Sequence, residues 1–242
     1  MDKVWSYSDD RLVGWPTAIM MQDFVYLLGG FNGKAALAGC LRVKVLPSLE
    51  FGPSSRIPDM RVAKYDIAVA TLLGRWVFAI AGTCFDNQTE THMSDCERFD
   101  ARTNRWESVS PVLKPRSGPG ICVFRERYLY IYAGQVDAHS QAESTIERYD
   151  TTDDSAGWIA LNIVPSDERN GAVGAQVSDG EILMIGSKIE CYINVGQEVA
   201  AKLRGIQTFP QGSTVPDMGY LKIVVSRRTM YSRFACKSIS LV

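Results

Sequence analysis

A strongly apolar run ending in glycine recurs along this chain about every 50 residues, the spacing of a repeated four-stranded unit. The runs are Phe24-Val25-Tyr26-Leu27-Leu28-Gly29-Gly30, Trp76-Val77-Phe78-Ala79-Ile80-Ala81-Gly82, Tyr128-Leu129-Tyr130-Ile131-Tyr132-Ala133-Gly134 and Ile182-Leu183-Met184-Ile185-Gly186. Each is apolar at successive positions, as expected of a strand buried on both faces between neighbouring sheets. The glycine lets the chain turn where a side chain would meet the next sheet.

Shorter apolar segments precede the runs, at Ala18 to Met21, Ile67 to Leu72, Gly120 to Phe124 and Ala172 to Val177. A short turn carrying charged or polar residues joins each segment to its run, as in Arg125-Glu126-Arg127. After the run, Glu97-Arg98-Phe99-Asp100 matches Glu147-Arg148-Tyr149-Asp150. Turns rich in Asp, Thr and Asn follow, and then Trp106 and Trp158, each 24 residues beyond its glycine (82 to 106, 134 to 158). The turn residues suit hairpins. A Trp at a fixed place in a repeat fills space between stacked sheets, where its area is worth most. Arg11, Arg61, Arg116 and Arg169 open the successive units.

These residues resemble the kelch repeat: a diglycine ending the second strand, a Tyr-Asp-like pair on the third, a Trp on the fourth and an Arg opening the next unit. The resemblance is strongest over residues 61–168. Only Gly29-Gly30 keeps the full diglycine, the first unit has Phe51 near the place of its Trp, and the fourth lacks both Trp and Tyr-Asp pair. The resemblance implies an all-β chain folded as a kelch-type β-propeller, one four-stranded blade per unit. Units at about 11–60, 61–115, 116–168 and 169–205 give four blades of a single domain spanning 1–242. Val4-Trp5-Ser6-Tyr7, with tail strands at Tyr220 to Ser226 and Thr229 to Ala235, supplies a fifth composite blade from 206–242 plus 1–10. Closing the ring with the N-terminal strand removes an open sheet edge. Six compressed blades are the alternative count.

Twenty-six Lys and Arg against 27 Asp and Glu leave a net charge of −1, without the basic excess that nucleic-acid binding demands. No segment approaches the ~18 apolar residues of a membrane span, and the first residues lack the apolar core of a secretion signal. The expectation is a cytoplasmic protein whose six scattered cysteines are reduced thiols, several of them small apolar strand residues.

Signals for enzymatic chemistry are thin. The chain has two histidines, His92 and His139, and no GxSxG, HExxH or P-loop. Cys84, His92 and Cys96 share the segment after the second run, but structural zinc prefers tighter ligand pairs, so the segment reads as a flexible surface loop. Thr152 to Trp158 resembles the Asp-box turn of sialidase propellers, a structural hairpin already explained by the repeat. No catalytic residue, metal or cofactor is expected.

What remains is binding. In kelch-like adaptors, peptides dock at one mouth of the ring, on loops that follow the diglycine strand and loops that lead into each first strand. Matching positions here are Arg61, Arg116, Ser117, Arg169 and Asn170 in the lead-in loops, and Asn32, Phe85 and Gln135 after the glycines. Recurring arginines suit an acidic or phosphorylated peptide; they equally suit structural pairing with the next blade's Asp or backbone. The sequence therefore points to a non-enzymatic module that binds a protein or peptide partner, as substrate recruiter or cytoskeletal scaffold. The alternative is a small propeller enzyme acting on a sugar or small molecule in its channel, for which carboxylates and a Tyr would have to converge there.

Overall fold

The computed structural model describes residues 14–86, 88–136 and 145–161, and beyond these the strands Val173–Ser178, Glu181–Ile185, Glu190–Asn194 and Val199–Lys202. The described chain is all-β apart from one 3₁₀ turn at Asp154–Ala156. Sixteen strands run in chain order: β1 Thr17–Met21, β2 Phe24–Leu28, β3 Cys40–Val45, β4 Phe51–Ile57, β5 Ala68–Leu72, β6 Trp76–Asp86, β7 Thr89–Asp100, β8 Arg105–Val109, β9 Gly120–Phe124, β10 Tyr128–Tyr132, β11 Ile146–Asp150, β12 Trp158–Leu161, and β13 to β16 as the last four strands above. They form four antiparallel meanders of four strands each. The first strands contact one another in order, β1 with β5, β5 with β9 and β9 with β13, which is how blades of a propeller stand side by side. Among the described residues no helix is long and apolar enough to cross a membrane. The composite-blade strands expected at Val4 to Tyr7, Tyr220 to Ser226 and Thr229 to Ala235 lie outside the described residues.

The core lies between sheets. Along β6, Val77 and Ala79 pack toward the first sheet while Phe78 and Ile80 pack toward the third. Along β10, Leu129 and Ile131 face the second sheet and Tyr130 and Tyr132 the fourth. Side chains alternate faces along a strand, so a strand sandwiched between two sheets must be apolar at consecutive positions. The same inter-sheet space takes the tryptophans. Trp158 is buried and stacks on Tyr149 with ring centroids 5.2 Å apart. Trp106 is partly buried against Phe99 at 5.5 Å.

Several hydrogen bonds repeat with a translation of 52 residues. Trp106 Nε1 donates to the Pro58 carbonyl at 2.8 Å, and Trp158 Nε1 to the Ser110 carbonyl at 2.9 Å (106 to 158, 58 to 110). Gly30 N donates to the Lys64 carbonyl and Gly82 N to the Arg116 carbonyl, at 3.1 and 3.0 Å. Each of these bonds ties one sheet to the connection beside it. By this translation the counterpart of Arg116 is Lys64, and that of Arg61 is Leu113. The sequence pairing of Arg61 with Arg116 is thus three residues out of register. Likewise the place of the Trp in the first sheet is taken by Ser54, which pairs with Val43 as Trp106 pairs with Phe99. Phe51 is 51% exposed.

The segment holding Cys84, His92 and Cys96 is no loose loop. β6 and β7 continue past Gly82 as a regular hairpin, pairing Thr83 with His92, Cys84 with Thr91, Phe85 with Glu90 and Asp86 with Thr89. Among the described residues no group of His, Cys, Asp and Glu is placed to hold a metal ion. Cys40, Cys84, Cys96 and Cys122 are free thiols. Burial pushes those of Cys40, Cys96 and Cys122 up to about 12, so they stay neutral.

Candidate partner-binding surface

At the end of the sheets where β2, β6 and β10 finish, each run is bridged to the segment leading into its sheet. Tyr65 and Thr83 exchange both backbone hydrogen bonds, at 2.9 and 2.8 Å, and so do Ser117 and Gln135, both at 2.8 Å. In the first sheet Trp15 N donates to the Phe31 carbonyl at 3.3 Å. These bridges need the glycine before them. At Gly82, φ is +110° and a Cβ would lie 2.6 Å from Ile67 Cγ2 and 2.7 Å from the Tyr65 carbonyl oxygen.

The sequence-predicted residues separate here. Arg116 is fully buried. Its guanidinium pairs with Glu147 and donates to the carbonyls of Ala133 at 3.1 Å and Thr145 at 3.3 Å. It cannot meet a partner at the surface; its role is in the scaffold. Lys64 does the same in the second sheet, buried with Nζ 2.6 Å from Asp95 Oδ2 and 3.5 Å from Glu97 Oε1. The buried glutamates also accept from the connecting backbone: Glu97 from Arg61 N at 2.7 Å and Val62 N at 3.3 Å, Glu147 from Leu113 N at 2.7 Å. Arg61 itself is exposed. Ser117 is buried and Gln135 half-buried. The exposed Asn32 spends its Oδ1 on the backbone of Lys34 and Ala35, at 2.9 and 2.8 Å, shaping its own loop. Arg169 and Asn170 lie outside the described residues.

Phe85 is where a surface feature forms. Its ring meets Phe31 edge-on, centroids 5.2 Å apart, and Phe31 lies 5.1 Å from Tyr65. All three are half-buried. The Phe85 carbonyl also accepts from Ala36 N at 3.5 Å, joining the extended hairpin to the first sheet's loop. Residues directly opposed in an antiparallel ladder project to one face. Thr83, Phe85, Glu90 and His92 therefore share a face of the hairpin, and the bridge to Thr83 adds Tyr65 to it. Burial pushes the Tyr65 phenol up to about 12, helped by the charges of Glu90 and Asp66 and by its hydrogen bond to Glu90. His92 Nε2 lies 3.7 Å from Glu90 Oε1. Trp15, bonded through its backbone to Phe31, is 81% exposed.

Trp15, Tyr65 and Glu90 were not singled out from sequence. The 52-residue translation could have found Tyr65, since it lands there from Ser117. Glu90 joins the surface only because the chain stays extended past Gly82.

No family model matches this chain, and no curated protein matches it in sequence. Among solved structures it is similar in fold to YjhT, a β-propeller-like protein, with a TM-score of 0.62 at 12% identity. The match covers 81% of this chain and 66% of that one, just under two thirds. The likeness is one of fold alone.

Proposed function

We propose that this chain is a non-enzymatic kelch-type propeller, five-bladed and closed by its N-terminal strand, that binds a protein or peptide partner at the sheet end carrying Trp15, Phe31, Tyr65 and Phe85. The observation that carries the reading is Trp15. An indole 81% exposed, on a residue whose backbone is bonded to Phe31 of a three-ring cluster, is the kind of residue that anchors an interface hot spot, where large aromatics fill a partner's pockets. Expectation shifts away from an arginine-led surface, because Arg116 is enclosed in the scaffold. Phe85 stands on β6, and Phe31 and Tyr65 are each held by a backbone bridge, which keeps the ordering cost of docking low.

The test compares proteins cross-linked to the wild type with those cross-linked to Trp15→Ser and Phe31→Ala in extracts of the native cell. Both variants should keep the wild-type melt and lose the same partner. An unchanged partner set would remove this surface from consideration.

The meeting of Tyr65, Glu90 and His92 is the observation that favours an enzyme on a sugar or small molecule. Against a nucleophilic role, the Tyr65 phenol stays protonated near neutral pH and acts as a donor. Turnover abolished by Tyr65→Phe would favour the enzyme; partner binding without turnover would favour the module.

A further inference from the structure

Asn32 is followed by Gly33 in the loop 32–35, which is closed by the backbone bridge of Phe31 with Ala36. Asn32, Gly33 and Lys34 are all exposed. Asn32 Oδ1 accepts from Lys34 N at 2.9 Å and from Ala35 N at 2.8 Å, and Asn32 N donates to the Ala35 carbonyl at 3.2 Å. The side-chain amide is thus held against its own loop with two N–H groups on its oxygen. Gly33 has φ +89°, and nothing lies within 4 Å of its Cβ position. Among the described residues the Gly33 N–H has no acceptor. The sequence holds another Asn-Gly pair, Asn170-Gly171, outside the described residues.

An amide resists attack because its oxygen must take up negative charge and because the attacking group must be brought to its carbon. Both obstacles are lowered at Asn32. Donors already aimed at an oxygen that becomes an anion stabilise the charge as it forms. The nitrogen of the next residue is tethered to the carbonyl carbon it would attack, so the reaction is intramolecular. At Gly33 no side chain obstructs closure of the ring.

We propose that Asn32 is a self-modification site, losing its amide in the folded chain to become aspartate or isoaspartate. Gly33 N gives its proton to hydroxide and attacks Asn32 Cγ. The new C–N bond leaves negative charge on Oδ1, where the N–H groups of Lys34 and Ala35 stabilise it. Collapse of this intermediate breaks Cγ–Nδ2, and Nδ2 leaves as ammonia with a proton from water. The cyclic imide that remains is opened by water. Cleavage of N–Cγ gives aspartate in an ordinary chain; cleavage between N and the Asn32 backbone carbonyl carbon gives isoaspartate, with the chain running through Cγ. Either product sets a carboxylate next to Phe31, and isoaspartate lengthens the backbone between Phe31 and its bridge partner Ala36. The inference stands apart from the partner-binding reading and needs no docked partner.

The experiment incubates the full chain at neutral pH in heavy-oxygen water, folded and in guanidinium chloride, and follows each asparagine by peptide mapping and mass spectrometry. Heavy oxygen should enter position 32 at least as fast in the folded chain as in the unfolded one. Asn104, also exposed but followed by Arg105, should keep its amide over the same time. Labelling by an isoaspartyl methyltransferase should mark position 32. Ala35→Pro removes one of the two donors and should slow conversion of the folded chain about tenfold, the loss of about 1.4 kcal/mol from a hydrogen bond to developing charge. If that variant melts early, the comparison of folded with unfolded wild type decides alone. Conversion slower in the folded chain than in guanidinium would overturn the proposal, as would a folded Ala35→Pro that converts at the wild-type rate.

Discussion

Arg116 and Glu147, 31 residues apart in sequence, form an ion pair with both side chains out of solvent, and Lys64 repeats the arrangement with Glu97 one sheet earlier. In the first sheet the position of the glutamate is taken by Leu41, fully buried without charge. The same scaffold place is thus filled by an ion pair in two sheets and by a hydrocarbon in another. That pattern bears directly on what substitutions there should do.

Arg116→Met should destabilise by about 3–5 kcal/mol, because it leaves Glu147 buried without a countercharge. Arg116→Lys should cost clearly less, since a lysine already serves at the equivalent place. The double change Arg116→Met, Glu147→Leu should recover much of the loss. Denaturant unfolding of the four proteins measures each step; a single change as mild as the double one would contradict the pairing.

Trp158→Ala should cost about 3–5 kcal/mol, the range for deleting a buried large aromatic. Trp106→Ala should cost less, because Trp106 is only partly buried. Both lose an indole hydrogen bond to the connection before their sheet, at Ser110 and Pro58. Thermal melts of the two variants should rank in that order.

Acid sensitivity should concentrate in two repeated carboxylates. Arg75 holds Asp100 through Nε–Oδ1 at 3.0 Å and Nη2–Oδ2 at 2.5 Å, and Arg127 holds Asp150 similarly. These hydrogen bonds keep both carboxyls well below the usual carboxylate range. A folded-state pKa below the unfolded value of about 3.9 gives stability that is complete above that value and lost as pH falls beneath it. Stability measured against pH should therefore decline below about pH 4, and Asp100→Asn should flatten that decline while lowering stability at neutral pH. Parallel acid limbs for the two proteins would argue against the linkage.

Gly82→Ala should destabilise by about 1–3 kcal/mol or more, the cost of a side chain at a strongly positive φ compounded by a clash. Its Cβ would press on the Tyr65 carbonyl and so on the bridge to Thr83. Gly118 also has positive φ, but nothing lies within 4 Å of its Cβ position. Gly118→Ala should therefore be the milder of the two in a denaturant melt.

The meander, the inter-sheet core and the packing of the tryptophans were legible in the sequence because each follows from short-range pattern. Consecutive apolar residues in β6 and β10 mean burial on both faces, and a glycine after them means a crowded turn, whatever the distant contacts. What the tertiary structure decided depended on partners far along the chain. Arg61 and Arg116 look alike in sequence, yet one is exposed and the other sealed against Glu147. Their fate turns on a three-residue difference in register that local pattern does not carry. Equal spacing from glycine to tryptophan hid a compensation as well. Glu97 to Glu147 is 50 residues while the tryptophans are 52 apart, because the third unit is shorter before its third strand and longer at the turn of Asp154. In the second unit β6 and β7 stay paired beyond Gly82. That extension carries Phe85 to Phe31 and Glu90 to Tyr65.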